Sequence, residues 1–177
     1  MSSPVHPRRP AMLEPADAEQ IRGDSDPALR SEAASATAHA LLSGLPLTRE
    51  DAEDASALLD DAGEGGLDAI AELWSRSPAT TAPGALWRLF LVREWWSSDP
   101  AQFESAAEVA GVDAMVLHRQ LETLFTGGGT QAFPALLDAT AGLVRQLSRA
   151  HADAPRLAAM ADELAAAAGL AGAGRLE

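Results

Sequence analysis

Residues Gly84–Pro100 read GALWRLFLVREWWSSDP. Between the end residues only Arg88, Arg93, Glu94 and Asp99 carry charge. At about 100° per residue, Leu86, Leu89, Val92, Trp95 and Trp96 fall on one broad arc, and Trp87, Phe90 and Leu91 cover much of the other side. A helix that is apolar all round is a buried helix. The stretch therefore predicts a central apolar helix over 84–97, sheathed by amphipathic neighbours, with Trp87 and Leu89 in its interior. Three of the four tryptophans lie in it, each able to remove about 200 Å² from water. Arg88 and Arg93 then need partners, because an unpaired buried charge is costly. Acidic neighbouring helices can supply them.

The flanking segments carry the start and stop signals of further helices. Asp26-Pro27 is a cap residue followed by proline at the first helical position, and Gly44 closes the segment that follows. Thr48 stands where an N-cap belongs. Glu50, Asp51, Glu53 and Asp54 crowd the first turns, where the helix dipole favours negative charge. Leu58 and Leu59 give that helix its apolar contacts and Gly63 ends it. Its carboxylates read as a solvated helix start, since DDAGEGGLD does not space them as a Ca²⁺ loop requires. In LDAIAELWSRS, Leu67, Ile70, Ala71 and Trp74 form one apolar stripe. Asp99-Pro100 and Asp113 open two more helices. Leu136, Thr140, Leu143 and Leu147 mark another, and Leu157, Met160, Ala161 and Leu164 the last. No alternating run or hairpin dipeptide suggests a strand. These signals predict an all-α fold: a single-domain bundle of about six or seven helices over 26–170. A disordered N-terminal tail is expected over 1–25 and a frayed C-terminus over 171–177.

Composition excludes several chemistries. Cys, Lys, Tyr and Asn are absent, and all 13 basic residues are arginine. There is no thiol nucleophile, disulfide, iron–sulfur cluster or thiolate zinc site. There is no lysine for a Schiff base or a Walker-type phosphate loop. A net charge of −13 opposes nucleic acid and anionic membranes. No run is long enough to span a bilayer, and Arg8-Arg9 is not followed by the apolar stretch of an export signal. A cytoplasmic location is expected.

The most specific motif is FESAAEVAGVDAMVLHRQLETLF, residues 103–125. Ala107, Gly111, Val112, Asp113 and Leu117 supply the small contact, the glycine corner, the cap and the apolar positions of a helix-turn-helix unit. Asp113, His118 and Arg119 would then be the DNA-facing residues. The flanking charges are mainly acidic, with Asp99, Glu104, Glu108 and Glu122, whereas a reading head brings several cations to phosphates. A structural helix corner is the simpler interpretation.

Other candidates are weaker. His118 and Glu122 share a helix face at i, i+4, but two ligands do not make a metal site. Gly127–Thr130 is glycine-rich without the Lys-Ser/Thr of a phosphate loop, and reads as a flexible hinge. No Gly-x-Ser-x-Gly elbow is present. No catalytic, cofactor-binding or metal-ligating residue is therefore assigned. Trp95 and Trp96 point about 100° apart on one helix, so either could face a partner or line a ligand cavity, with Arg93 beside them.

GLPLTREDAEDASALLDDAGEGG together with APGALWRLFLVREWWSSDPAQ resembles a family of small all-helical proteins of GC-rich actinobacteria. The likeness covers residues 44–150 and centres on the Leu-Trp-Arg-Leu segment. It implies a helical fold and no catalytic residues. The leading expectation is a non-enzymatic cytoplasmic protein acting through contact with a protein partner or as a homodimer. Two others stand beside it: a helix-turn-helix regulator using 103–125, and a small-ligand binder with a Trp-lined cavity.

Overall fold

The computed structural model describes residues 26–57 and 66–177, without the side chain of Ser56. The expected tail over 1–25, and Leu58, Leu59 and Gly63, lie outside these residues. The described residues form an all-α structure of eight helices, with no strand among them. They are α1 (Pro27–Leu42), α2 (Arg49–Ala57), α3 (Leu67–Trp74), α4 (Ala82–Ser98), α5 (Pro100–Ala110), α6 (Ala114–Thr123), α7 (Phe133–Ser148) and α8 (Ala154–Gly172). The count of eight exceeds the six or seven expected, although each of the eight has a segment read from the sequence. Asp99 alone separates α4 from α5, and Gly111–Asp113 separates α5 from α6, as the cap signals at Asp99 and Asp113 predicted.

The starts follow local cap chemistry. Asp26 accepts from the Ala28 amide at 2.9 Å and Asp113 from the Val116 amide at 3.0 Å. Thr48 Oγ1 accepts from the Asp51 amide at 3.1 Å, and Asp51 Oδ2 accepts from the Thr48 amide at 2.6 Å. Each satisfies amide donors that the first helical turn leaves orphaned. The apolar helix α4 begins two residues before Gly84, because Thr81 Oγ1 accepts from the Gly84 amide at 3.3 Å and Pro83 tolerates the first turn.

α4 packs against α1, α3, α5, α6, α7 and α8, and α7 and α8 form the most extensive helix pair. Leu86, Leu89 and Val92 of α4 are fully buried, with Trp74, Phe103, Leu121, Leu137, Leu143 and Leu164 contributed by its neighbours. The sheath around α4 is nevertheless incomplete. Leu91 is 38% exposed, and Trp87 and Trp95 are half-buried. On the facing side α8 presents Ala159 among Arg156, Leu157, Met160 and Glu163, too little apolar bulk to close over the tryptophans. The expectation that Trp87 is interior is corrected accordingly.

The glycine run after α6 is a packed crossing, where the sequence suggested a hinge. Leu124–Gly128 wind as a π-helical turn that buries Leu124 and Phe125. A Cβ on Gly127 would stand 2.7 Å from Pro46 Cα, and one on Gly129 2.7 Å from Gly44 Cα. Both glycines also have positive φ, which L side chains rarely adopt. Only glycine lets this turn pass so close to the loop after α1. Over the expected frayed end, α8 continues to Gly172, Leu176 packs on the core, and the Glu177 carbonyl accepts from the Ala82 amide.

Candidate functional site

The two arginines of α4 find carboxylates on different helices. Arg88 Nε donates to Glu163 Oε2 of α8 at 2.6 Å, and its Nη1 donates to the Gly84 carbonyl at 2.7 Å. Arg93 forks onto Glu122 of α6, Nε to Oε1 at 2.8 Å and Nη2 to Oε2 at 3.1 Å, while its Nη1 reaches Glu94 at 2.7 Å. The bonds to Glu122 raise the guanidinium pKa above its ordinary value, against a smaller opposing effect of burial. Arg93, expected at a partner surface, is thus engaged within the fold. Its acid partner comes from α6, whereas the acidic start of α2 plays no part in these pairs.

Trp96 is only 3% exposed. It stacks on Phe103 at 4.9 Å between ring centroids and sits 5.1 Å from His118. Trp95 stands differently. Its ring stands steeply against Phe103, with centroids 4.9 Å apart, and against His151, with centroids 5.4 Å apart, and it lines a groove between α4 and α8. Trp87, Leu91, Leu157 and Met160 complete the apolar wall of this groove, whose volume is about 640 Å³. Arg88, Glu163, Asp153 and Arg156 rim it. The sequence did hold a signal for it. Trp87, Leu91 and Trp95 follow one another at i, i+4 and i+8, and Arg156, Met160 and Glu163 at i, i+4 and i+7 on α8, each set on one helix face. What was not legible is that these two faces oppose one another.

The 103–125 corner adopts the geometry that its motif predicts. Gly111 has φ +70°, the Val112 amide donates to the Ala107 carbonyl at 2.9 Å, and the Gly111 amide donates to Glu108 at 3.2 Å. This double closure is a Schellman motif. Ala107 and Leu117 are buried at the crossing. Asp113 is engaged as the cap of α6, Arg119 is exposed, and His118 lies between Trp96 and Glu122. Around this corner Val109 is 67%, Met115 69% and Val116 46% exposed. A cleft of about 740 Å³ beside it is lined by Trp96, Pro100, Glu104, Asp113, Met115 and His118. The corner therefore presents apolar side chains among carboxylates, with Arg119 the cation on its outer helix face.

Among the described residues, no group of three or more His, Asp or Glu side chains gathers where a metal ion could sit. No described helix is long and apolar enough to cross a membrane. Compared with protein-family models, with curated proteins and with solved structures, the chain matches none of them.

Proposed function

We propose that the protein is a non-enzymatic cytoplasmic binding protein that works by contact with another protein through the α5–α6 corner. The observation that supports this is the exposure of Val109, Met115 and Val116 within one turn-linked stretch. Scattered exposed apolar residues are ordinary, whereas a cluster rimmed by polar groups fits a contact surface. Glu104, Glu108 and Asp113 around it select a partner whose apolar face is edged by cations. Two copies of the chain would bring these carboxylates together, so charge favours a different protein over self-association. In this reading α4 is the central element against which the corner is braced, through the Trp96–Phe103 stack and the Arg93–Glu122 fork.

The test is photo-crosslinking in cells from position 115, with position 29 as the control, where Leu29 of α1 is 53% exposed away from the corner segment. A partner captured from position 115 alone should rebind the purified chain, and Met115→Glu should weaken that binding about tenfold or more. The same products from both positions would sink the assignment. A homodimer in light scattering that Met115→Glu disperses would transfer the contact to self-association.

The corner geometry also supports a second reading, a DNA-binding regulator. It requires duplex binding that falls steeply with salt and is lost in Arg119→Glu. The carboxylates around the corner oppose it, and anisotropy with a mixed-sequence duplex decides it.

A further inference from the structure

We propose that the groove between α4 and α8 binds a zwitterionic small molecule with a large apolar side chain, of the α-amino acid class. This site is separate from the corner. Its floor and walls are Trp87, Leu91, Trp95, Leu157 and Met160, an aromatic and aliphatic lining of the kind that recognises flat or branched hydrocarbon. Its volume of about 640 Å³ lies within the usual range of small-molecule sites and leaves room for retained water.

The charges at the rim narrow the ligand class. Arg88 and Glu163 are held by one another at 2.6 Å, with Arg88 also on the Gly84 carbonyl. Arg156 and Asp153 differ from them. Asp153 immediately precedes α8 and Arg156 lies in its first turn, and both line the groove, yet neither side chain makes an ion pair or hydrogen bond with the other or with any described residue. His151 Nδ1 accepts from the Asp153 amide at 3.1 Å while its ring stands edge-on to Trp95. This ties the charged mouth to the apolar wall. A free carboxylate and a free guanidinium one turn apart complement a ligand that carries an ammonium and a carboxylate on one carbon. A plain carboxylic acid would meet Asp153, and a plain amine would meet Arg156. A polyphosphate would find a single uncommitted cation.

The experiment is calorimetric titration of the full chain with L-phenylalanine and L-leucine, and with 3-phenylpropionate and phenethylamine, each of which lacks one charge of phenylalanine. Saturable one-to-one binding of at least one amino acid is expected. Each single-charge analogue should bind about tenfold or more weaker than phenylalanine, a difference the titration resolves directly. Arg156→Gln, a surface change that leaves the core intact, should cause a loss of the same size. Arg119→Gln, on α6, should leave binding unchanged. No saturable heat up to about 10 mM of either amino acid, undiminished binding in Arg156→Gln, or 3-phenylpropionate binding as tightly as phenylalanine would each overturn the proposal.

Discussion

The indole N–H of Trp74 donates to the hydroxyl of Thr37 at 3.0 Å, joining α3 to α1 inside the core. Thr37 Oγ1 in turn lies 2.9 Å from the Ala33 carbonyl and 3.1 Å from that of Ala34, so one hydroxyl serves as acceptor and donor at once. Trp74 is fully buried and has no water to fall back on. Thr37→Val keeps the shape and strands the indole donor. It should cost about 1–3 kcal/mol of unfolding free energy, measured by urea titration. Thr37→Ser keeps the hydroxyl and should lose less.

Leu89 and Trp87 are two residues apart on α4 and face different surroundings. Leu89 is fully buried, so Leu89→Ala should cost about 2–5 kcal/mol, the transfer term plus the cavity left behind. Trp87 has one face stacked on Phe90 at 5.8 Å and another on the open groove. Trp87→Ala should therefore cost less, about 1–2 kcal/mol. Equal costs at the two positions would mean that the groove is closed in solution.

This contrast marks where sequence reasoning stops. Helix starts at Asp26, Thr48, Asp99 and Asp113 were legible because a cap depends on the next three residues alone. The stop at Gly111 was legible for the same reason. Exposure around α4 was not, because it depends on how much bulk α8, far away in sequence, sets opposite Trp87 and Leu91. The roles of Trp95 and Trp96 could not be separated by periodicity either. Both are apolar neighbours and both meet Phe103, and they part only because Trp96 also packs on His118 while Trp95 lines the groove facing α8. The glycines at 127–129 looked like freedom of movement because sequence does not reveal that Gly44 and Pro46 pass against them.

The Arg93–Glu122 fork has a defined pH signature. The folded-state pKa of Arg93 is raised, so its contribution is fully present below the unfolded-state value and is lost only as pH climbs through the folded one. Both values lie in strong alkali. The cost of Arg93→Gln should thus be flat between about pH 7 and about pH 10. Its size should be about 1 kcal/mol, since the pair is partly open to solvent. Denaturant titrations of both proteins at several pH values check this. A cost that fades within that window would show that the fork is not formed in solution.

Two glycine substitutions should move stability in opposite directions. A Cβ on Gly84 would lie 2.6 Å from the Pro78 carbonyl carbon, and closer still to its oxygen. The obstacle is backbone, so nothing flexible can swing away, and α4 would have to leave the turn that its own cap holds. Gly84→Ala should cost about 3 kcal/mol or more, beyond ordinary overpacking. Gly142 sits inside α7 with ordinary helical φ, and an added methyl would meet nothing within 4 Å. Gly142→Ala removes backbone freedom from the unfolded chain without a clash, and should stabilise by about 0.5–1 kcal/mol. Thermal melts of the two variants compare them directly. If both destabilise, α7 is packed more tightly at Gly142 than its open surroundings imply; if Gly84→Ala is neutral, the Ser77–Pro78 turn does not lie against α4.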